Sequence, residues 1–330
     1  MLMRIVFHGE NAASFSHGFA DLVGEADITV LPDILASEAD RAAYAAADVV
    51  VGTRFNTSLP RPAGLKLFHV PGAGYDAVDL GALPASATVC NCFGHEQAIA
   101  EYVMAGILAR HVPLADADAK LRKKDWSYWA GAPERVHDEL AEKTIGLLGF
   151  GHIGKAIAVR AKAFEMKVDV ANRSPVPASE RVDRSFTLDQ LDEFWGSADF
   201  IVVSVPLTAE TTGIVGKEAF DAMRPSAVVF NVGRGPTIDE TALYAALRDN
   251  KIAGAVIDTW YVYPSPDKPD VLPSILPFHE LPNVVMTPHM SGWTSGTIRR
   301  RQKTIADNVL SRAAGRPCTN VVREGGSADS

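Results

Sequence analysis

Short runs of apolar, often β-branched residues recur along the chain and alternate with alanine-rich segments of helical periodicity. The runs before residue 92 are RIVFHG, ITVLPD, DVVVGT, LKLFHV and ATVCN. Apolar strands separated by helices are typical of βαβ units in a parallel sheet, because helices then cover both faces of the strands. The first part of the chain is therefore predicted to be an α/β domain.

A second series of apolar runs begins at residue 144 and predicts another parallel sheet. Its strands are TIGLLG (144–149), MKVDVAN (166–172), DFIVVSVP (199–206), AVVFNV (227–232), AGAVID (253–258) and NVVMTP (283–288). The predicted fold class is thus α/β, with two doubly wound, Rossmann-like sheets and a cleft between their domains.

The segment between the two series has the periodicity of a helix. Residues 95–129 carry Ile99, Val103, Ile107 and Val112 near helical spacing, which predicts one long linking helix. A last helix, expected at about 292–314, should return to the first domain. The predicted organisation is a discontinuous substrate-binding domain, 1–98 plus 291–330, and a dinucleotide-binding domain, 99–290.

Composition narrows the functional classes. The net charge of −8 disfavours nucleic acid as a partner, since phosphate binding needs a concentrated basic face. Neither a membrane-spanning run nor a signal-peptide pattern is seen, so a cytoplasmic location with no membrane partner is expected. Three cysteines, two of them in VCNC, predict neither a disulfide framework nor a metal site.

A glycine-rich motif follows the first strand of the second series. The G-x-G-x-x-G spacing in GFGHIG lies between a strand and an amphipathic helix, the context of a dinucleotide-binding loop. There the first glycine permits a tight turn, the second admits a pyrophosphate and the third allows close packing. The predicted cofactor-binding residues of this loop are Gly149, Gly151, His152, Ile153 and Gly154; the His152 side chain is given no separate role.

The end of the next strand indicates which dinucleotide binds. NAD-selective sites usually have an acidic residue there that holds the ribose 2′-hydroxyl. Here the strand ends in Asn172, Arg173 and Ser174, while Asp169 comes too early. A neutral residue followed by a cation suits a 2′-phosphate, so NADP is favoured, with NAD as the alternative. Arg173 as a solvent-facing turn residue would also fit the pattern.

Arg234 follows a buried strand in NVGRGP. Ligands of open α/β sheets sit at the carboxyl ends of strands, and a guanidinium there can bind a carboxylate through two hydrogen bonds. A structural salt bridge would also explain this residue.

Six ordered motifs, taken together, resemble the D-isomer-specific 2-hydroxyacid dehydrogenase family over nearly the whole chain. They are VPGAGYDAVDL, AIAEYVMAGILA, GLLGFGHIG, SVPLTAETTGIV, NVGRGPTIDETAL and VVMTPHMSGWT. Several motifs in the family's order are much more specific than any one of them. The family includes D-glycerate, glyoxylate/hydroxypyruvate, phosphoglycerate and formate dehydrogenases.

The resemblance implies roles for residues in these motifs. Arg234 matches the substrate-binding arginine, His289 the acid/base histidine, and Ala73 with Gly74 the loop whose backbone amides hold the substrate carboxylate. Asp258 matches an aspartate near the nicotinamide. The expected cofactor-binding set is completed by residues within or beside the motifs: Val205, Pro206, Thr211, Val232, Gly233 and Asp258. Family likeness also implies a homodimer formed through the cofactor domain.

The implied reaction is NAD(P)-dependent reduction of a small 2-keto acid, of the glyoxylate or hydroxypyruvate type, to the D-2-hydroxy acid. Histidine suits the proton transfer, because its ordinary pKa near 6.5 makes both protonation states available. Arg234 would orient the substrate and stabilise the developing alkoxide. The alternatives are a dehydrogenase of formate or another small anion, and a dinucleotide-sensing protein resembling a corepressor.

One position departs from the family pattern. Ungapped alignment puts Tyr263 where most members have a glutamate that partners the histidine, and formate dehydrogenases have a glutamine there. A tyrosine can hydrogen-bond imidazole but brings no negative charge at neutral pH. We therefore expect the pKa of His289 to be lower than in relatives with glutamate. A loop rearrangement that brings Asp267 or Glu280 to His289 is the alternative.

Three further sets of residues are less specific. His95 and Glu96 could touch substrate or cofactor, although helix capping and hinge packing explain them equally well. For the aromatic segment 125–131 core packing is favoured, with a pocket wall or a dimer contact as alternatives. Trp293, close to His289, is the better candidate for a pocket wall.

Overall fold

The computed structural model describes residues 2–131, 135–265 and 268–326. Its backbone divides into two compact units, one formed by Met1–Gly94 and Thr294–Ser330 and the other by His95–Trp293. The predicted boundaries, 98/99 and 290/291, lie within a few residues of these divisions.

Helices and strands alternate along the chain. Up to residue 94 they are β1 (Met3–His8), α1 (Glu10–Ala13), α2 (Phe19–Val23), β2 (Ala26–Leu31), α3 (Glu38–Ala45), β3 (Val49–Gly52), β4 (Leu67–His69) and β5 (Thr88–Cys90). The second unit contains α4 (Glu96–His111), α5 (Leu114–Leu121), β6 (Thr144–Leu148), α6 (His152–Ala163), β7 (Lys167–Ala171), β8 (Arg184–Phe186), α7 (Leu191–Ser197), β9 (Phe200–Val203), α8 (Lys217–Ala222), β10 (Val228–Asn231), α9 (Glu240–Arg248), β11 (Gly254–Ile257) and β12 (Val284–Met286). The chain then adds α10 (Ser295–Ala313) and β13 (Val321–Arg323).

The first unit has a six-stranded sheet in the order β13-β5-β4-β3-β1-β2, in which only β13 is antiparallel to its neighbour. Alternate residues of β1 point to opposite faces, so Val6 joins one apolar cluster and Ile5 and Phe7 join the other. The second of these clusters is completed by Ile305 and Val309 of α10.

A buried histidine connects α10 to this sheet. His69 Nε2 lies 3.0 Å from Asn308 Nδ2, and His69 Nδ1 lies 3.1 Å from the Val70 carbonyl oxygen. Asn308 Oδ1 accepts the Thr319 backbone N–H, so its amide nitrogen must face the imidazole. His69 therefore carries its proton on Nδ1, and burial lowers its pKa to about 4.

The second unit has a seven-stranded parallel sheet in the order β12-β11-β10-β9-β6-β7-β8. The order reverses at β6, which is the doubly wound topology of Rossmann domains. Helices α4 and α6 cover one face, where Gly106 lets α4 approach Phe230 so closely that a Cβ would lie 2.7 Å from its ring. The predicted α/β class with two parallel sheets is confirmed.

Two secondary-structure expectations need correction. The single linking helix is wrong: α4 ends at His111 and a separate helix, α5, begins at Leu114. Pro113 explains the break, because proline lacks an N–H and forces the preceding residue out of the helical conformation; Val112 is extended, with φ −109°. The edge strands β8 and β13 were also not predicted.

Candidate active site

The glycine loop after β6 has the geometry that dinucleotide binding requires. Gly149 has a φ of +97°, which is costly for other residues, and a Cβ on Gly154 would lie 2.3 Å from the Gly149 carbonyl oxygen. A Cβ on Gly151 would meet nothing within 4 Å, so space is left in front of the loop. Helix α6 begins with His152 and Ile153. Its N-cap residue is Gly151, which has no side chain to cap the first N–H groups of the helix. The loop therefore fits a bound pyrophosphate.

At the end of β7, the Asn172 side chain contacts both the glycine loop and the turn that follows Asn172 itself. Its Oδ1 lies 3.5 Å from the Phe150 backbone nitrogen, and its Nδ2 donates to the Ser174 carbonyl at 3.0 Å. Arg173 is exposed. Asp169 is buried and forms a two-point ion pair with Arg184 of β8, so its carboxylate is already engaged within the sheet.

The other expected cofactor residues lie in loops at the same edge of this sheet, because they follow the carboxyl ends of its parallel strands. Val205, Pro206 and Thr211 come after β9, where the Thr211 hydroxyl donates to the Pro206 carbonyl at 2.6 Å. Val232 and Gly233 follow β10 directly. Their contacts with a cofactor stay a prediction.

The glycines beside Arg234 explain why a charged residue can follow a buried strand here. A Cβ on Gly233 would lie 2.9 Å from the Val205 carbonyl oxygen, and one on Gly235 would lie 2.2 Å from that of Trp260. Only glycine allows the turn to pack this closely against its neighbours. Arg234 is half-buried, and its Nη1 donates to the Gly233 carbonyl at 2.9 Å.

His289 lies on a turn after β12 and has a left-handed backbone, with a φ of +58°. This conformation is uncommon for residues other than glycine and persists where its surroundings hold it. The imidazole Nδ1 lies 2.9 Å from the Tyr263 hydroxyl. The structure thus brings together the two residues that the alignment had paired.

Tyr263 is a neutral partner held in place by the backbone. The Trp260 N–H donates to its hydroxyl oxygen at 3.1 Å, and the same oxygen can also accept the Nδ1–H of a protonated His289. Burial raises the pKa of Tyr263, and the Trp260 hydrogen bond and the positive charge of nearby Arg234 oppose this increase. The Tyr263 hydroxyl is therefore in contact with His289 and is influenced by the charge of Arg234.

Asp258 grips the turn that carries His289, a function that the sequence did not indicate. Its carboxylate is fully buried and accepts the Met290 and Ser291 backbone N–H groups at 2.8 and 2.9 Å. The Thr287 hydroxyl donates to the same carboxylate at 2.6 Å. These hydrogen bonds compensate the buried charge and fix both sides of His289. A position beside the nicotinamide stays a prediction.

In the first unit, Ala73 and Gly74 lie in the loop after β4. The Asn91 side chain donates to the Ala73 carbonyl at 2.7 Å, and the Cys92 backbone N–H donates to the Gly72 carbonyl at 3.1 Å. The loop is thus tied to the end of β5. Its contact with a substrate stays a prediction.

The secondary candidates have mixed outcomes. The Glu96 carboxylate lies 3.9 Å from His95 Nδ1 and 3.8 Å from His152 Nδ1, so these residues form one cluster at the start of α4. The favoured core packing of segment 125–131 is wrong for its tryptophans: Trp126 is 64% exposed and Trp129 is 61% exposed. Trp293 donates its backbone N–H to the Met290 carbonyl, and its proposed place in a pocket wall is untested.

The carboxylates considered as alternative partners of His289 belong to Glu280 and Asp267. Glu280 has a carboxylate oxygen 3.9 Å from Nε2 of its neighbour His279, and Asp267 lies outside the described residues. Among the described residues, no group of three or more His, Cys, Asp or Glu side chains is arranged to hold a metal ion. Within the same ranges no helix has the length and apolar character needed to cross a membrane.

Comparison with known proteins identifies the family. The profile described as "D-isomer specific 2-hydroxyacid dehydrogenase, NAD binding domain" matches residues 104–291, more than half of the chain. This protein belongs to the D-isomer-specific 2-hydroxyacid dehydrogenase family. The glycine loop of this family member therefore lies in its NAD-binding domain.

Two relatives differ in how much of their length is shared. D-3-phosphoglycerate dehydrogenase of Archaeoglobus fulgidus is 34% identical over 264 residues, which are 78% of this chain and 47% of the relative. The chain thus spans about half the length of that 2-hydroxyacid dehydrogenase. Glyoxylate/hydroxypyruvate reductase B of Citrobacter koseri is 31% identical over 290 residues, or 85% of this chain and 86% of the relative.

A solved structure of the same family has a similar fold. The D-isomer-specific 2-hydroxyacid dehydrogenase of Xanthobacter autotrophicus, in complex with NADPH and MES, superposes with a TM-score of 0.78 at 26% identity. The match covers 98% of each chain.

Proposed function

We propose that this protein is an NADP-preferring reductase that converts a small 2-keto acid, of the glyoxylate or hydroxypyruvate type, into the D-2-hydroxy acid. The observation that carries the proposal is the contact between His289 and Tyr263 beside Arg234, in the unit that carries the glycine loop. This arrangement combines a proton donor, a cation for the substrate and a cofactor loop in one unit.

In the proposed reaction the chain's residues bind the keto acid and move one proton. Arg234 pairs with the substrate carboxylate or carbonyl and stabilises the negative charge that develops on the oxygen. His289 gives that oxygen a proton from Nε2, since Nδ1 contacts Tyr263. The backbone amides of Ala73 and Gly74 hold the carboxylate, and Trp293 limits the room around the substrate. When bound, the dinucleotide supplies the hydride for C2.

The preference for NADP is proposed from the charges at the end of β7. Arg173 offers a cation for the 2′-phosphate, and the carboxylate of Asp169 is turned to Arg184 instead. A cavity of about 480 Å³ beside Phe150 is lined by two cations, Lys155 and Arg181, and also by Ser179 and Glu180. The structure of the Xanthobacter relative contains NADPH, which supports the same preference.

The substrate class is proposed from the relatives that match most of the chain. Glyoxylate/hydroxypyruvate reductase B of Citrobacter matches 85% of this chain, and the phosphoglycerate dehydrogenase of Archaeoglobus matches 78%. We favour the keto acid of the first relative, and the phosphorylated keto acid is the competing substrate. Formate remains the second candidate because His289 has a neutral partner, as the family's formate dehydrogenases do.

Steady-state kinetics with the purified protein test this proposal. NADPH oxidation is followed with glyoxylate, hydroxypyruvate, pyruvate and 3-phosphohydroxypyruvate, and NADP⁺ reduction is followed with formate. We expect the highest kcat/KM with glyoxylate or hydroxypyruvate, and a loss of at least about 100-fold in Arg234→Ala and His289→Asn. Tight NADPH binding without turnover of any compound would favour a dinucleotide sensor instead.

We also propose a homodimer in which a second copy covers an exposed apolar surface of the cofactor-binding unit. Five large side chains between residues 114 and 136 are at least half exposed: Leu114, Leu121, Trp126, Trp129 and Val136. Clusters of exposed aromatic residues are typical of subunit interfaces. Light scattering should give twice the chain mass, and a Trp126→Glu, Trp129→Glu variant should give the mass of one chain.

A further inference from the structure

The turn that carries His289 is held at several points. Its left-handed conformation is unfavourable by itself, so the hydrogen bonds around it decide whether the imidazole keeps one position. The Thr287 carbonyl accepts the Trp260 indole N–H at 2.8 Å, and the Thr287 hydroxyl donates to Asp258. Thr287, together with the Met290 and Ser291 backbone N–H groups, therefore binds this turn to its surroundings.

Tyr102 adds a further contact, from a helix far away in sequence. Its hydroxyl lies 2.7 Å from the Thr287 hydroxyl oxygen. The Thr287 hydroxyl donates to Asp258 Oδ1 at 2.6 Å, an oxygen that also accepts the Met290 backbone N–H; the Ile257 carbonyl is farther away, at 3.4 Å. Burial raises the pKa of Tyr102 to about 12, so it stays protonated and donates to Thr287. The chain of hydrogen bonds thus runs from Tyr102 through Thr287 to Asp258.

The helix that carries Tyr102, α4, is anchored by its buried apolar side chains. Ile99, Val103 and Ile107 of α4 are buried in the apolar cluster beneath the seven-stranded sheet. The start of the same helix also lies close to the chain after His289, since a Cβ on Gly292 would lie 3.2 Å from the Cβ of the N-cap residue His95 and 3.6 Å from the Ile99 side chain. Movements of the turn relative to α4 are therefore opposed on both sides of His289.

We propose that Tyr102 is a positioning residue for His289: through Thr287 and Asp258 its hydroxyl holds the left-handed turn in the one conformation that presents the imidazole. This inference rests on the proposed function of His289 as the proton donor. Tyr102 touches neither substrate nor cofactor in this scheme, so it affects the rate of the proton-coupled step and leaves binding unchanged.

Tyr102→Phe removes the hydroxyl and keeps the ring. We expect kcat for keto-acid reduction to fall about 3- to 10-fold, the range for one lost hydrogen bond, with KM and the NADPH Kd within about twofold of wild type. Tyr244→Phe, on α9, makes the same chemical change on a helix outside this network and should leave kcat unchanged. A Tyr102→Phe enzyme with wild-type kcat, or one altered only in KM, would contradict the proposal.

A double-mutant cycle tests the path through Thr287. Thr287→Val removes the relaying hydroxyl, whereas Thr287→Ser keeps it and should preserve most of the activity. If Tyr102 acts through Thr287, Tyr102→Phe should have no further effect on kcat in the Thr287→Val background. Effects that multiply fully would show that Tyr102 acts through packing instead, which would overturn the inference.

A spectroscopic measurement separates this inference from the proposed function. In protein labelled at histidine, the ring signal of His289 is assigned with His289→Gln and compared among variants. Tyr102→Phe should shift or broaden this signal, and Tyr244→Phe should not. If no keto acid is turned over, the proposed function fails while this comparison still applies; an unchanged His289 signal in Tyr102→Phe overturns the positioning role.

Discussion

Replacement of Tyr263 by glutamate should raise the pH at which keto-acid reduction is lost. In the proposed reaction the imidazole of His289 must be protonated. A carboxylate beside Nδ1 stabilises the imidazolium, whereas the phenol of Tyr263 is neutral because burial raises its pKa. Activity therefore falls as pH rises through the pKa of His289, and that pKa should be higher in Tyr263→Glu.

The magnitude follows from the geometry. The Tyr263 hydroxyl lies 2.9 Å from His289 Nδ1, and the glutamate side chain, shorter by about 2 Å, would place its charge at roughly 5 Å. At that distance the attraction is about 0.8 kcal/mol in water and about 3 kcal/mol at an effective dielectric constant of 20. Because Tyr263 is 47% exposed, we take the lower half of this range, which corresponds to a pKa increase of about one unit.

The assay is the pH dependence of kcat/KM for keto-acid reduction at saturating NADPH. Tyr263→Gln is the matched control, since it has the length of glutamate without its charge. Tyr263→Glu alone should move the descending limb to higher pH. Coincident descending limbs for wild type, Tyr263→Glu and Tyr263→Gln would refute the reasoning and indicate that another group controls the charge near His289.

Three further outcomes are expected. Gly151→Ala should fold normally but weaken NADPH binding, because its methyl group fills the open space in front of the loop. Gly154→Ala should instead lower the free energy of unfolding by about 1–3 kcal/mol, because its methyl group clashes with the Gly149 carbonyl. Thermal melts with and without NADPH distinguish the two effects. Arg173→Ala should raise the NADPH Kd at least about tenfold and the NADH Kd less than about twofold, and equal effects in titrations with both would contradict the 2′-phosphate contact. Because the pKa of His69 is lowered to about 4 in the folded state, stability is lost as pH falls from about 6.5 toward 4. Urea unfolding at pH 7 and 5 should show a loss about 2 kcal/mol larger in wild type than in His69→Gln, and equal losses would exclude this histidine.

The strands and the glycine loop could be predicted because their signals are local. Continuous apolar runs such as VVFNV at β10 indicate buried parallel strands, and the glycine spacing after β6 predicts a tight loop followed by a helix. Strands β8 and β13 could not be predicted, because each is short, lies at a sheet edge and mixes charged with apolar residues. Pro113 indicates the end of α4, but the apolar spacing that continues to Val112 favours a longer helix.

The contacts that support the turn of His289 could not be predicted in the same way. Tyr102 resembles an ordinary aromatic residue of an apolar helix, and its partner Thr287 lies 185 positions away in the sequence. Asp258 was selected by family likeness for a contact with the cofactor, yet both its oxygens bind the backbone after His289. Hydrogen bonds between distant segments leave no periodic pattern, so only the folded chain reveals them.

The place of α10 in the first unit has a consequence for biosynthesis. Ile305, Ala306 and Val309 complete an apolar cluster whose other buried members belong to the first ninety residues. During translation, the face of the sheet around Ile5 and Phe7 therefore stays incompletely covered until the whole second unit has left the ribosome. We expect the nascent N-terminal segment to depend on chaperones in this interval, while the second unit, continuous in sequence, folds first.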